Sequence, residues 1–111
     1  MTRNYIKFDN DHVEQILEGD KYQTVRYGWD DWPTVGNLVD LRDGDGNVFA
    51  EAEISDVHRE TIHHFCQYTH HGHRDYDDPE EMVEHLEEYY SDDMDRSTII
   101  TTITFDVQHE R

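Results

Sequence analysis

A change of hydrophobic period at Gly19 constrains this 111-residue chain more than any other feature. Before the glycine, Val13, Ile16 and Leu17 recur at helical spacing, so Asp11 to Glu18 reads as a short amphipathic helix. Asn10 or Asp11 is placed to cap its start, and Gly19 to stop it, because glycine reaches φ > 0 without steric cost. After it comes Tyr22-Gln-Thr-Val-Arg26, a β-prone run. Residues two apart on a strand share a face. Thr24 and Arg26 are therefore expected to point the same way, with Lys21 entering from the turn. An amine, a hydroxyl and a guanidinium would then meet at one polar site.

The rest of the chain reads as α+β. Gly28 to Pro33 is a loop carrying Trp29 and Trp32, and Val35 to Arg42 a strand. Asp43-Gly-Asp-Gly-Asn47 is a hairpin turn. It resembles the start of a calcium loop but has Val48 at the sixth position and Ile54 at the twelfth, where glycine and glutamate are required. Val48 to His58 is the return strand, with Val48, Ala50, Ala52 and Ile54 on one face and Phe49, Glu51 and Glu53 on the other. Thr61 to Thr69 reads as a helical turn and His70 to Asp78 as a polar loop. Pro79 fits the first turn of a helix capped by Asp78, with Met82, Val83, Leu86, Tyr89 and Tyr90 as its buried stripe. Ser91 to Arg96 is a linker, and Ser97 to Val107 a β-branched strand. Such a set suits a small curled β-barrel flanked by two or three helices, in one domain over residues 1–111.

Length and order add a family resemblance. The run Gly19-Asp-Lys21-Tyr-Gln-Thr24-Val-Arg26 resembles the Gly-x-Lys-x-x-Thr-x-Arg signature of ASCH domains, relatives of the PUA fold associated with RNA. Tyr5-Ile-Lys-Phe8 is similar to the family's first strand, and Trp32 to Val39 to its aromatic, glycine, apolar strand entry. Asp78 to Tyr90 and Ile99 to Phe105 resemble its later helix and closing strand. The likeness spans nearly the whole chain.

The resemblance implies a PUA-like fold and two main functions. One is the amidohydrolase activity of small ASCH proteins that deacylate N4-acetylcytidine. On that reading Lys21 is the base, its neutral form favoured by desolvation beside Arg26. Thr24 is the nucleophile or positions it, and Arg26 holds the substrate carbonyl or the geometry. The family's catalytic carboxylate aligns with Arg74, which stays protonated. Asp75 beside it serves instead if the loop shifts by one residue. The other function is a non-catalytic module holding RNA or a nucleotide through Lys21, Thr24 and Arg26. Ribonuclease activity is a third option, with no histidine pair placed for it. Tyr22, Tyr27, Trp29 and Trp32 bracket the polar site; Tyr22 and Trp32 are the aromatics assigned to substrate binding. A stacked base is worth about 1–3 kcal/mol.

Acids number 27 against nine basic residues, for a net charge of −18, and only Lys7 and Lys21 are lysines. The acids are spread along the chain among 12% aromatics, which argues against a disordered acidic tail. Lysine depletion with a carboxylate-rich surface points to a halophilic, archaeal setting, where at molar salt the Debye length falls to about 3 Å. No apolar run suits a membrane span, and no basic-plus-apolar leader opens the chain. A lone Cys66 allows no internal disulfide and suggests a reducing, cytoplasmic location without a disulfide-linked partner. The partner expected is RNA or a modified nucleoside, with no cofactor. His58, His63, His64, His70, His71 and His73 crowd a short stretch with Cys66. Paired-cysteine spacings and a catalytic helix motif are missing, so the segment reads as a polar loop and no metal is expected.

Overall fold

In the computed structural model, residues 5–29, 32–68 and 79–110 are described. Five strands and three helices follow in the order β1 (Tyr5–Lys7), α1 (Asn10–Leu17), β2 (Gln23–Arg26), β3 (Leu38–Arg42), β4 (Val48–Thr61), α2 (Ile62–Tyr68), α3 (Pro79–Tyr90) and β5 (Ile99–Glu110). They build one sheet in the order β1-β3-β4-β5-β2. β1 runs parallel to β3, and every other pairing is antiparallel. The sheet curls into a half-barrel, and the α+β class expected from the sequence is observed. Among the described residues, no helix is long and apolar enough to cross a membrane.

The long β4–β5 pair supplies the curl. Its register shifts twice, between Glu51 and Ala52 and between Ile54 and Asp56, and each irregularity bends and twists the strands. A third shift sits beside the hairpin, where Arg42 pairs with Val48 but Leu41 pairs with Ala50. Phe49 falls in that gap. It therefore joins the core beside Ala50 instead of alternating away from it, which corrects the strict two-face pattern read from the sequence. The turn itself is local chemistry: Asp43 Oδ1 accepts from the backbone N–H groups of Asp45 (2.9 Å) and Asn47 (3.0 Å), and Gly46 sits at φ 88°.

Two apolar clusters hold the layers. Ile6, Phe8, Ile16, Leu41, Ile54 and Phe105 belong to the first, which joins α1 to the sheet. Val25, Ile62, Phe65, Met82, Leu86 and Ile100 form the second, which seats α2 and α3. Several boundaries differ from expectation. β3 starts at Leu38 because Gly36 (φ 93°) places Val35 and Gly36 in a turn. β4 runs on to Thr61 and β5 to Glu110, since each lends the other a full ladder. Asp9, not Asn10 or Asp11, is the N-cap of α1, and it makes no side-chain capping bond. Asn10 is used otherwise: its Oδ1 accepts the Gly44 N–H at 2.8 Å, pinning the helix start to the hairpin turn.

Candidate active site

The end of α1 delivers Lys21. Gly19 (φ 85°) donates to the Ile16 carbonyl at 3.1 Å, and Asp20 reaches back to the Gln15 carbonyl at 2.9 Å. These are the two bonds of a Schellman cap, which satisfies carbonyls the helix leaves open. The Lys21 N–H adds a bond to the same Gln15 carbonyl at 3.1 Å. The backbone of Lys21 is thus held by the helix end, and the residue is 8% exposed. β2 then sets Thr24 opposite Ile103 and Arg26 opposite Thr101 on β5. Thr24 is 4% exposed, while Val25 between them enters the second apolar cluster.

Lys21, Thr24 and Arg26 line one cavity of about 660 Å³, a size suited to a small ligand. Its position follows from the topology. β1 and β2 are the two edges of the half-barrel, and the cavity lies against residues of both. Arg26 spans this seam: its Nη2 donates to the Lys7 carbonyl at 2.8 Å. The guanidinium carbon also stands 5.2 Å from the Phe8 ring centre and 5.4 Å from that of Trp29, within cation–π range. Trp29 is fixed in turn, because its carbonyl accepts from Thr101 Oγ1 (2.9 Å) and Arg59 Nη2 (3.1 Å). α3 contributes His85, Tyr89 and Tyr90 to the wall. Tyr90 is tied to the strand side by the Tyr27 N–H, which donates to its hydroxyl at 3.3 Å.

The cavity gathers charge of both signs. Lys7 joins Lys21 there, so both lysines of the chain border it. Asp9, Asp11 and Asp20 are the carboxylates of the same wall. His12 completes the lining from α1, and its pKa lies below the usual 6.5. Burial is the main cause, and the positive charges of Lys21 and Arg26 add to it, against the opposing pull of Asp9 and Asp11. Its imidazole is accordingly held neutral near pH 7. His12 was not among the sequence candidates. The signal available for it is positional, since His12 and Gln15 lie three apart on the helix and both face the cavity.

Other expected site residues fall elsewhere. Tyr22, just before β2, is 41% exposed and outside the cavity lining. Trp32 packs on the first apolar cluster with its ring 5.4 Å from that of Trp29, also outside the lining. Tyr89, expected to be buried, is 58% exposed and stands at the rim, because Met82 and Leu86 take the buried face of α3. Arg74 and Asp75 lie outside the described residues.

No protein-family model matches the sequence, and no curated protein is similar to it at a significant level. Solved structures are similar in fold. A protein of Enterococcus faecalis V583 assigned to family DUF984 superposes with TM-score 0.75 at 14% identity, covering 100% of this chain and 83% of its own. The ASCH domain from Lactobacillus crispatus JV V101 gives TM-score 0.65 at 16% identity, covering 94% of this chain and 79% of its own. The ASCH protein of Zymomonas mobilis gives TM-score 0.66 at 10% identity, with coverages of 96% and 68%. With its curled sheet, its three helices and a cavity at the seam between the two edge strands, this chain has the fold of the ASCH domains.

Proposed function

We propose that this chain is an ASCH-domain protein whose cavity takes a modified nucleoside, and that it hydrolyses an N-acyl group from cytidine. The observation that carries this reading is the concentration of cations in an acidic molecule. Both lysines and Arg26 border one cavity, with a buried hydroxyl at Thr24, in a chain of net charge −18. Acids outnumber basic residues three to one along the chain, so two lysines and an arginine on one wall, beside Asp9, Asp11 and Asp20, are a local departure from its composition.

In the proposed reaction, the Lys21 amine accepts the Thr24 hydroxyl proton as Thr24 Oγ1 attacks the acyl carbon. The carbon–nitrogen bond then breaks, the exocyclic amine of cytidine leaves with the proton from Lys21, and water hydrolyses the acyl-Thr24 ester. Neutral His12 is a second acceptor for the water step. The carboxylate of this scheme is Asp75, as the resemblance implies; Asp9, Asp11 and Asp20 share the wall with Lys21. The test is release of cytidine from N4-acetylcytidine in molar KCl, followed by chromatography. Lys21→Ala should lower the rate by about 10²–10⁴-fold, the usual scale for a general base. Wild-type protein that leaves the substrate intact would sink the hydrolase reading.

A binding module is the second reading, favoured by α3. His85, Tyr89 and Tyr90 offer flat rings on the cavity wall, and a base stacks on such rings without turnover. In that case nucleosides or RNA shift the NMR signals of residues around Lys21 and are recovered unchanged. The acidic surface is compatible with RNA at high salt, where long-range phosphate attraction is weak for every protein and contacts in the cavity decide.

A further inference from the structure

Outside the cavity, three metal-binding side chains converge where β4 passes into α2. His58 and Glu60 lie two apart on β4 and so share a face. The helix begins at Ile62, and its first turn brings His64 back over Glu60. Thr61 Oγ1 secures that turn by accepting the His64 N–H at 3.1 Å. His58 Nε2 stands 3.2 Å from Glu60 Oε2, and His64 Nδ1 contacts the same oxygen. One ligand atom from each residue lies within 4.8 Å of the others. The Glu60 side chain is 4% exposed, whereas those of His58 and His64 are 48% and 49% exposed. A buried carboxylate therefore sits below two imidazoles that are open to solvent, which gives an ion a way in.

We propose that His58 Nε2, Glu60 Oε2 and His64 Nδ1 bind a divalent transition-metal ion of the zinc class, with a further position left to water. Zinc bonds to imidazole nitrogen and carboxylate oxygen at about 2.0–2.2 Å, which places neighbouring tetrahedral ligands about 3.3 Å apart. The His58–Glu60 separation already matches that spacing. A rotation of the half-exposed His64 ring brings the third ligand to it. The ion takes the place of the protons that the imidazoles now share with the carboxylate. Two imidazoles suit zinc, nickel, cobalt or copper, whereas calcium requires six or more oxygen ligands. None of the three residues lines the cavity. A tally of histidines and cysteines along the chain passes over the site, because its central ligand is a glutamate.

Titration calorimetry of the untagged full chain with zinc chloride, paired with cobalt absorption spectra, tests this. One zinc per chain is expected, with tetrahedral cobalt bands. His58→Ala and His64→Ala should each weaken binding by about tenfold or more, and because both rings are half-exposed the variants should stay folded by circular dichroism. His63→Ala, and a variant with His70, His71 and His73 all changed to alanine, should keep the site. Zinc binding untouched by His58→Ala and His64→Ala, binding lost with the triple variant, or no binding at all would each overturn the assignment.

Discussion

At the scale of single residues, the cavity sets two groups in unusual circumstances. His12 has its pKa lowered by burial and by Lys21 and Arg26, so its neutral form is the one the fold prefers. The unfolded chain then binds more protons than the folded one between the lowered value and about 6.5. That contribution to stability is complete above about pH 6.5 and is lost as pH falls through the folded pKa. We expect the His12 ring signals to titrate below 6.5 in an NMR pH series, and His12→Gln to flatten the acid side of the stability profile. An ordinary or raised midpoint would contradict the burial described. Arg26 is the other group. Its bond to the Lys7 carbonyl joins the two edges of the sheet, and hydrogen bonds from a charged donor are worth about 1.5–3 kcal/mol. Arg26→Ala should therefore cost about that much in urea unfolding. Arg26→Lys should recover little of it, because an ammonium lacks the planar fork held between Phe8 and Trp29.

At the scale of elements, the turn after α1 decides where Lys21 is. Gly19 occupies φ 85°, which costs an L-residue with a side chain about 1–2 kcal/mol. Gly19→Ala is expected to lower stability by about 1 kcal/mol and to move Lys21 with the loosened cap, so that any activity falls further than stability does. Parallel measurement of both quantities separates the effects. This element was legible in sequence because its signals are local: a helical period, a glycine, then a β-prone run. The hairpin turn was legible for the same reason, and the order of strands and helices followed. What escaped was set by distant partners. Phe49 enters the core through a register shift against β3, which no alternation along β4 reveals. Asn10 serves the hairpin turn 34 residues away rather than its own helix. His12 becomes part of the cavity only because β1, β2 and α3 close around it. Trp32 resembles a ligand-stacking aromatic in sequence, yet Trp29 and the first core cluster claim its ring.

At the scale of the whole molecule, net charge of −18 on 111 residues acts against compaction in dilute buffer. Raising salt from physiological to molar shortens the Debye length from about 8 to about 3 Å and relieves that repulsion. The thermal midpoint should therefore rise steadily with potassium chloride, and a midpoint that is flat or falls would remove the case for a high-salt setting. The half-barrel is a second property of the whole. A sheet that closed fully would have buried the seam between β1 and β2. Because it stops short, the gap is bridged by one guanidinium and leaves room for a ligand beside it.

The placement of both lysines on that gap also has a practical side. Side-chain amines are the targets of activated esters, aldehydes and many cross-linkers, and this polypeptide carries just two, on a common wall. Reagents that scatter dyes over an ordinary surface would here find their side-chain targets on that wall alone, with the α-amine of the chain as the other target, and a molecule occupying the gap would shield those two lysines from the label.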